Sequence, residues 1–494
     1  MICISLGREC QEELVAEHRR LVAEGAPLVE LRLDYLRGPV DVAALLANRP
    51  GPVVVTCRRP SDGGKYTESE HQRLDLLRQA VAAGAEYVDL EEDTAKAIPR
   101  EGGTKRIISY HDFDETPDNL VDIHRRLCGL NADVVKVCTT ALHPGDNLRL
   151  LELTQRSAVP TVAFCMGETG IPSRILAGRF GAPLTYAAPD AKSVVAPGQI
   201  PFAVLRDLYR YDQINAQTEV YGVIADPVGH SLSPLIHNTG FGHLQLNKVY
   251  VPLRIPPADL HAFLDQAPRL GLRGLSVTIP HKETILPKLA WAEESVRGIG
   301  ACNTAVLGPD GWHGYNTDCQ AALETLEEAA GGRKPDAASP LAGKTALLLG
   351  SGGVGKAIAF GLLQRGAKVA LCDGMPQRSE DLATRLGCQS IPWGERHSLK
   401  ADVLINGTPV GMHPKVDETP FEKRHLRSGM IVFDAVYNPE YTRLLQDAQA
   451  RGCKVVTGVE MFVRQACMQF KMFTEQTPPV DLMRGVIKKA LGVG

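Results

Sequence analysis

The sequence lacks the features that mark a membrane protein or a nucleic-acid-binding protein. No apolar run reaches the roughly 18 residues that a membrane-spanning helix needs. The 54 basic and 57 acidic residues nearly cancel, and a net charge of −3 gives no electrostatic reason to expect nucleic acid or an anionic membrane as a partner. With 44% hydrophobic and 22% charged residues, the composition is ordinary for a soluble globular protein.

The 12 cysteines show no pairing or metal-binding pattern. No two stand in a C-x-x-C, and most lie in apolar runs, among them Cys57, Cys138, Cys165 and Cys372. Buried, reduced thiols are therefore expected, together with a reducing cytoplasm. The first residues, MICISL, enter a strand-like run without the basic region or cleavage site of a signal peptide. No metal is expected, because no cluster has the spacing of a ligand set.

The most informative stretch is residues 345–373, TALLLGSGGVGKAIAFGLLQRGAKVALCD. Two apolar runs flank a glycine-rich turn and a helix-like segment, which is the order of a dinucleotide-binding unit. Such a turn places backbone N–H groups and a helix N-terminus at the phosphates of the cofactor. The predicted contacts are Gly350, Gly352, Gly353, Val354, Gly355 and the acidic Asp373 that closes the second run. A plain tight turn in an α/β protein is the alternative.

Residues 1 to about 200 repeat one unit without repeating a sequence. Short β-rich runs begin near residues 1, 28, 53, 86, 105, 133, 160 and 184, with helix-like segments between them. Eight strand–helix units predict a (β/α)8 barrel, with catalytic residues at the C-terminal ends of its strands. Because 494 residues are too many for one hydrophobic core, two to four domains are expected in total.

Polar residues stand where such a barrel would place its chemistry. Glu30, Arg32 and Asp34 alternate along one predicted strand and so point to one face, and Asp89 and Glu91 alternate along another. The ends or interiors of three further strands carry Arg58, His111 and Lys136.

Lys136 lies inside the apolar run DVVKVC. Burial disfavours the charged amine, so the pKa of Lys136 is expected to fall, and a neutral amine attacks a carbonyl to give a Schiff base. His111 is expected to act as a general acid and base near its ordinary pKa. The alternative for Lys136 is a structural ion pair with an inward carboxylate.

Over roughly residues 1–212 the chain resembles type I 3-dehydroquinate dehydratase. The matching pieces are Glu30 to Asp34, Thr56 to Arg58, Gly63-Gly64, His111-Asp112-Phe113, Lys136, Met166-Gly167, Ser173-Arg174 and Ala196 to Gln199. The resemblance implies that Lys136 forms an imine with the ring ketone of 3-dehydroquinate while His111 moves protons. It implies that the substrate is held by Glu30, Arg32, Arg58, Arg174 and Gln199.

Two positions depart from that family's pattern. Asp62 stands where the family usually has a glutamate that steadies the histidine. Val195 replaces a substrate-facing serine, unless Ser193 reaches into the site. These departures bear on substrate affinity more than on chemistry, because His111 and Lys136 are both present.

A second set of motifs runs through the rest of the chain. Its members are Ser231 and Ser233 in GHSLSP, Thr278 and Lys282 in VTIPHK, Asn303 in ACNTA, Asp318 in YNTD, Asn406 to Met412, Asp434 to Pro439 and Gly458 to Gln465. Taken singly, such residues are helix caps, turn formers or solvated lysines. Together they resemble shikimate dehydrogenase over about residues 218–494.

That second resemblance implies a catalytic pair, Lys282 and Asp318, flanking the hydroxyl that is oxidised. The carboxylate and hydroxyls of shikimate would be held by Ser231, Ser233, Thr278, Asn303, Tyr437 and Gln465. Cofactor contacts beyond the glycine turn would come from Asn406, Thr408 and Gly458. The hydride itself belongs to the nicotinamide.

The expected fold is therefore α/β, with an N-terminal (β/α)8 barrel followed by a two-lobed α/β dehydrogenase that contains a Rossmann-type nucleotide domain. The expected domains are the barrel at 1–212, a substrate domain at 218–324 completed by 458–494, and the nucleotide domain at 325–457. The expected function is bifunctional: dehydration of 3-dehydroquinate to 3-dehydroshikimate, then reduction to shikimate. Two alternatives remain open, a dehydrogenase that prefers quinate and a regulatory protein with inactive domains.

The choice between NADP and NAD is left open by the sequence. NADP-using relatives usually place Asn-Arg-Thr after the second strand, where the arginine grips the 2′-phosphate. This chain has Asp373-Gly374-Met375, and an aspartate there favours the free ribose of NAD. Arg378, however, stands where a second phosphate-binding arginine often lies.

Overall fold

The computed structural model describes residues 1–334 and 337–492. The chain divides into two compact units. The first unit holds residues 1–220, 226–230 and 245–271, and the second holds residues 221–225, 231–244 and the chain from Leu272 onward. Among the described residues, no helix has both the length and the apolar character that crossing a membrane requires.

The first unit is built on nine parallel strands, hydrogen-bonded in the order β7-β6-β5-β4-β3-β2-β1-β8-β9. These strands are β1 (Ile2–Leu6), β2 (Leu28–Arg32), β3 (Val53–Thr56), β4 (Tyr87–Glu91), β5 (Lys105–His111), β6 (Val134–Thr140), β7 (Thr161–Met166), β8 (Thr185–Ala188) and β9 (Ile200–Pro201). The helices between them are α1 (Gln11–Ala23), α2 (Val42–Ala47), α3 (Glu70–Ala82), α4 (Thr94–Ala97), α5 (Leu120–Cys128), α6 (Gly145–Arg156) and α7 (Ile171–Leu176). The predicted strand–helix alternation is confirmed.

Parallel strands are buried on both faces, which explains their continuous apolar runs. β1 reads ICISL and β3 reads VVVT, and every residue of both strands is buried. Local signals set the helices: Ser69 and Gln72 form a reciprocal capping box at the start of α3.

The barrel wall has an open seam. In the order of the sheet β7 is an end strand, so the hydrogen-bonded ladder does not run from β7 to β8 within the described chain. Two aromatic rings meet across this seam, Phe164 on β7 and Tyr186 on β8, with ring centroids 6.0 Å apart. Side-chain packing therefore closes the wall where backbone pairing does not.

Next along the chain come elements shared between the two units. The strands are β10 (Glu219–Ala225), β11 (Lys248–Arg254), β12 (Leu272–Val277), β13 (Leu289–Ala292), β14 (Thr304–Gly308) and β15 (Gly311–Tyr315), and the helices are α8 (Ser233–His243), α9 (Leu260–Gln266), α10 (His281–Thr284), α11 (Glu294–Ile299) and α12 (Thr317–Ala329). β11 and α9 belong to the first unit. In the second unit, strands of a different sheet are hydrogen-bonded in the order β10-β12-β14-β15-β13.

The remaining strands form a separate parallel sheet in the order β18-β17-β16-β19-β20-β21. They are β16 (Thr345–Leu349), β17 (Lys368–Cys372), β18 (Gln389–Ser390), β19 (Val403–Asn406), β20 (Ile431–Asp434) and β21 (Lys454–Val456), with helices α13 (Gly353–Gln364), α14 (Pro376–Leu386), α15 (Arg443–Ala450), α16 (Gly458–Thr474) and α17 (Val480–Ala490). Numbered from its first strand, this sheet has the 3-2-1-4-5-6 order of a Rossmann domain, as predicted.

Two candidate active sites

A pocket at the C-terminal ends of the barrel strands gathers all of the predicted residues of the first half. Its lining includes Glu30, Arg32, Arg58, His111, Lys136, Arg174 and Gln199. These residues lie on α7 and on or directly beside five different strands, so that the order of the sheet brings them together.

Lys136 is held by carboxylates rather than left neutral. Its Nζ lies 2.9 Å from Asp89 Oδ2 and 3.8 Å from Glu30 Oε1, and it stands 4.1 Å above the ring of Tyr186. Burial alone would lower the pKa of Lys136, but the two carboxylates outweigh it and the pKa is raised. The expectation of a lowered pKa was therefore wrong, because the sequence did not show how closely the acids approach.

Asp89 is the centre of this cluster, although sequence reasoning assigned it no role in binding or catalysis. Its fully buried carboxylate accepts hydrogen bonds from Arg58 Nη2 at 2.6 Å, Ser109 Oγ at 2.6 Å and Lys136 Nζ at 2.9 Å. Burial raises the pKa of Asp89, but the positive charges of Arg58 and Lys136 bring it below its usual range. Its alternation with Glu91 along β4 indicated its inward direction, but nothing in the sequence indicated its partners.

His111 departs from the expected titration as well. Burial, followed by the charges of Arg58 and Lys136, holds the pKa of His111 well below its ordinary value of 6.5. Arg58 Nη1 lies 2.6 Å from Nδ1 and 2.8 Å from Nε2 of the ring. A guanidinium can only donate and a neutral imidazole offers one acceptor nitrogen, so this contact agrees with the lowered pKa of His111.

Arg174 has no carboxylate partner among the described residues. Its Nη2 donates to the carbonyl of Pro197 at 3.2 Å, whereas Nε and Nη1 are buried without a hydrogen-bond partner in this part of the chain. The guanidinium lies over the ring of Phe164 at 4.2 Å. Burial lowers its pKa to about 10. Arg174 is therefore suited to bind an anion, whereas Arg32 already pairs with Asp34 at 2.7 Å.

The two departures from the family pattern have structural outcomes. Asp62 accepts hydrogen bonds from Arg59 at 3.0 Å and from Ser61 at 2.8 Å, and in the described chain it makes none to His111. Ser193 Oγ donates to Asp190 Oδ2 at 3.3 Å, while Val195 lines the pocket. Ser193 therefore does not replace the missing serine.

In the second unit, the side chains of Lys282 and Asp318 lie in direct contact. Lys282 Nζ lies 2.5 Å from Asp318 Oδ2, and both side chains are largely buried. Asp318 stands in the first turn of α12, which Asn316 caps by accepting a bond from the backbone of Cys319. The cap fixes where this carboxylate points, so the pair is held by local structure.

Asn303 is connected to the same helix start. Its Oδ1 accepts from the backbone N–H of Thr317 at 2.7 Å, and its Nδ2 donates to Thr317 Oγ1 at 2.9 Å. Gln469 on α16 donates to Thr304 Oγ1 at 2.9 Å and to the backbone carbonyl of Asn303 at 3.3 Å. This supporting glutamine was not predicted, since it lies inside a helix with no motif to mark it.

The other predicted substrate contacts form two small groups. Ser231 Oγ accepts from the backbone N–H of Ser233 at 3.2 Å, just before α8. Tyr437 stacks on the ring of Phe462 at 5.0 Å, and Gln465 donates to the Phe462 carbonyl at 3.0 Å. Within the described chain, no hydrogen bond joins these residues or Thr278 to Lys282 or Asp318. Their convergence on one substrate stays a prediction.

The glycine turn has the backbone geometry of a phosphate site. Gly350 has a φ of +96°, which favours glycine, and it leads from β16 toward the start of α13 at Gly353. A Cβ on Gly355 would lie 2.1 Å from the Gly350 carbonyl, so no larger residue fits there. A Cβ on Gly352 would have no heavy atom within 4 Å, so the backbone just before α13 is open to a ligand, which suits a pyrophosphate.

Asp373 braces this turn. Its carboxylate accepts from the backbone N–H of Ser351 at 2.6 Å and of Met375 at 2.8 Å. Arg378 is exposed on α14. The carboxylate thus fixes the loop that would hold the phosphates, while the arginine stays in solvent.

The last predicted cofactor residues shape the neighbouring turns. Asn406 Oδ1 accepts from Thr408 Oγ1 at 2.6 Å, and Asn406 Nδ2 donates to Asp434 at 3.0 Å. Burial raises the pKa of Asp434 to about 6. A Cβ on Gly458 would lie 2.4 Å from the Val436 carbonyl, so α16 can begin there only with glycine. No group of metal-ligating side chains occurs among the described residues.

Comparisons with known proteins cover both halves. Residues 2–216 match the family described as type I 3-dehydroquinase, residues 223–305 match the shikimate dehydrogenase substrate binding domain, and residues 458–488 match the shikimate 5′-dehydrogenase C-terminal domain. The chain is 38% identical over 510 aligned positions to the bifunctional 3-dehydroquinate dehydratase/shikimate dehydrogenase, chloroplastic, of Arabidopsis thaliana, an alignment that covers 99% of this chain and 84% of that protein.

Solved structures resemble the second half. A shikimate 5-dehydrogenase from Thermus thermophilus in complex with NADP(H) and shikimate is 33% identical with a TM-score of 0.50, covering 55% of this chain and 99% of that one. A quinate dehydrogenase from Corynebacterium glutamicum in complex with NAD is 30% identical with a TM-score of 0.50, covering 55% of this chain and 99% of that one. Both dinucleotides therefore occur among its structural relatives.

Proposed function

The chain belongs to the family of bifunctional 3-dehydroquinate dehydratase/shikimate dehydrogenases, and from this membership we propose how its residues divide the work. The protein dehydrates 3-dehydroquinate to 3-dehydroshikimate and reduces that product to shikimate with a nicotinamide dinucleotide. The observation that carries the residue assignment is the barrel pocket, where a buried lysine, a neutral histidine and an arginine without an acidic partner in the described chain face one space.

Charge complementarity supports the orientation of 3-dehydroquinate in the barrel. Arg58 and Lys136 share Asp89, and Arg32 pairs with Asp34, so that among the described cations of the pocket only Arg174 lacks an acidic partner. A substrate with a single carboxylate supplies the missing charge, and a guanidinium binds it with paired hydrogen bonds. This anchoring places the ring of the substrate between Arg174 and Lys136.

Imine formation then needs a proton transfer within the site. Lys136 attacks the ketone carbon as its ammonium proton passes to the carbonyl oxygen, and loss of water gives the protonated imine. Neutral His111 accepts the proton from the carbon next to the imine carbon and returns it to the hydroxyl of the adjacent carbon, which leaves as water. Hydrolysis of the imine returns Lys136 and releases 3-dehydroshikimate.

The pKa shifts predict a broad plateau in the pH profile of dehydration. In the reactive form of the free enzyme, Lys136 is protonated and His111 is neutral. Because the pKa of His111 lies well below 6.5 and that of Lys136 is raised above 10.5, this form persists over the interval between them. We expect kcat/KM to stay constant from about pH 6.5 to 10 and to fall only outside that range. A rate that rises about tenfold per pH unit between about 7 and 9 would instead show that a free amine must first be formed.

In the second unit, Lys282 and Asp318 act on the hydroxyl or ketone of the second substrate. The bound nicotinamide supplies or accepts the hydride at the carbon atom. During reduction, the Lys282 ammonium donates a proton to the carbonyl oxygen, and the hydrogen bond to Asp318 directs that ammonium. Asn303, supported by Thr317 and Gln469, is placed to bind a neighbouring hydroxyl.

For the cofactor, we propose that Asp373 sets the preference between NADH and NADPH. Its carboxylate would repel a 2′-phosphate and accept a hydrogen bond from a free ribose hydroxyl. Replacing Asp373 with asparagine and Gly374 with arginine should shift the ratio of kcat/KM for NADPH over NADH upward by about 10- to 100-fold, because a charge-assisted hydrogen bond replaces a repulsion.

Gly374→Arg alone is the control for that double variant. It adds the positive charge but keeps the carboxylate that also holds the backbone of Ser351 and Met375. An unchanged cofactor ratio in the double variant would show that residues outside this loop decide the choice.

The direct test of function is to supply 3-dehydroquinate with NADPH or NADH and to measure shikimate. Production of shikimate with either cofactor requires both sites to work. Comparing kcat/KM for shikimate and quinate in the oxidative direction tests the alternative of a quinate-preferring enzyme. A regulatory protein with inactive domains would give no product from either substrate.

We propose a reducing cytoplasm as the compartment. All 12 cysteines are free, and most of them are buried, as expected of structural thiols. Mass measurement after alkylation of the unreduced, unfolded protein would show every cysteine modified if this is correct.

A further inference from the structure

A short network in the first unit connects a loop of the barrel to a loop outside it. Glu168 lies two residues after β7, and its Oε1 accepts a hydrogen bond from the backbone N–H of Gly229 at 3.1 Å. Its Oε2 lies 3.3 Å from Arg254 Nη1, on the last residue of β11. One carboxylate therefore binds two segments that follow the barrel in the sequence, and both belong to the first unit.

The same arginine closes the network onto the loop. Arg254 Nε donates to Asp226 Oδ1 at 2.9 Å, and Asp226 stands three residues before Gly229. The segment 226–230 is thus fixed at one end by Arg254 and near the other by Glu168. Gly229 leaves little free space, since a Cβ there would lie 3.2 Å from Glu168 Oε1.

Segment 226–230 directly precedes two residues with a proposed role in substrate binding. Ser231 and Ser233, the proposed ligands of the shikimate carboxylate, follow it directly, and Ser231 is only two residues from Gly229. The side chain of Ser231 is itself oriented by the backbone N–H of Ser233 at 3.2 Å. Where residue 229 is held decides where the hydroxyl of residue 231 can lie, because two residues span only about 7 Å.

We propose that Glu168, a residue of the dehydratase barrel, is a positioning residue for the dehydrogenase: it holds the loop that presents Ser231 and Ser233 to the substrate carboxylate. This inference rests on the proposed role of the two serines. Glu168 does not touch the substrate or the cofactor in this arrangement, so its effect should appear in substrate binding. A substitution in the dehydratase barrel would then weaken the binding of shikimate by the dehydrogenase.

The expected result for Glu168→Ala is a KM for shikimate that rises about 3- to 10-fold, the range for losing one charged hydrogen bond near the surface. kcat and the KM for the dinucleotide should change less than about twofold, because Lys282, Asp318 and the glycine turn are untouched. Glu168→Gln keeps an oxygen that can accept from Gly229 N–H, so it should restore part of the affinity. The ratio of the KM values of Glu168→Ala and the unmutated chain should fall in high salt, because an exposed ion pair is screened.

Glu152→Ala is the matched control. Glu152 on α6 pairs with Arg269 at 2.5 Å, which joins the same barrel to the same 245–271 segment but does not contact residues 226–230. The control should leave the KM for shikimate unchanged. The proposal is overturned if Glu168→Ala behaves like Glu152→Ala, or if its loss lies in kcat or in cofactor binding. An unmutated chain without dehydrogenase activity would instead refute the proposed function itself.

Discussion

Replacing Lys136 with alanine is expected to abolish dehydration, lowering kcat by at least about 10⁴-fold, since no other nucleophile can form the imine. Among the described residues that line the pocket there is no second lysine. The remaining basic side chains, apart from His111, are arginines, whose guanidinium groups stay protonated and do not attack a ketone. Sodium borohydride added with 3-dehydroquinate should attach substrate covalently to the unmutated chain and not to the variant. The measurements are the rate of 3-dehydroshikimate formation and the mass of the borohydride-treated protein.

The dehydrogenase activity of the Lys136→Ala variant is an internal control. Reduction of added 3-dehydroshikimate should be unchanged, because Lys282 and Asp318 are not altered. Asp89 keeps Arg58 and Ser109 as hydrogen-bond partners after the substitution. Its buried negative charge therefore stays paired with the positive charge of Arg58. Lys105→Ala, at the exposed start of β5, controls for loss of a lysine from the barrel. A covalent adduct that still forms on Lys136→Ala would rule out the imine assignment.

Replacing Lys282 with methionine is expected to stop the second reaction instead. Without the proton donor, kcat for reduction of 3-dehydroshikimate should fall by about 10²- to 10⁴-fold, the usual contribution of general acid catalysis. The KM for shikimate should change little, since other residues hold its carboxylate. Supplied with 3-dehydroquinate and reduced cofactor, this variant should accumulate 3-dehydroshikimate.

Lys400→Met, at an exposed position of the second unit, is the control for that change. Asp318→Asn tests the partner: if the carboxylate serves to direct Lys282, its loss should lower kcat for reduction and leave the KM for the dinucleotide unchanged. Mixing Lys136→Ala with Lys282→Met should restore shikimate formation, because each chain supplies the missing step. Full reduction activity in Lys282→Met would remove Lys282 from the mechanism.

The backbone of the barrel was predictable because it depends on local patterns. Apolar β-rich runs alternate with helix signals, and the predicted strand starts agree with the observed ones to within about one residue. The inward direction of Glu30 and Arg32 was also predictable, since alternation along a strand fixes which side chains point to one face, whereas Arg174 and Gln199 were indicated only by the family resemblance.

The electrostatics of that pocket were not predictable from the same patterns. Whether Lys136 is neutral or charged depends on the 2.9 Å approach of Asp89, which comes from a strand two positions away in the sheet. The same holds for His111, whose low pKa reflects the arrival of Arg58 in addition to burial. Burial was correctly inferred for Lys136, but its consequence was decided by neighbours that are distant in sequence.

In the second half, motifs located the residues but not their mutual support. Asp373 was interpreted only as a ribose contact, yet it also holds the backbone of Ser351. Motif spacing cannot reveal both roles. A carboxylate can accept several hydrogen bonds through its two oxygens, and the sequence does not show which groups donate them.

The two rings that meet between β7 and β8 restrict what protein engineering can change in this barrel. Phe164 carries the guanidinium of Arg174 on its face, and Tyr186 carries the amine of Lys136. A smaller residue at either position would loosen the wall and at the same time remove the support of a charged group. Libraries built to widen the substrate range should therefore leave positions 164 and 186 unchanged.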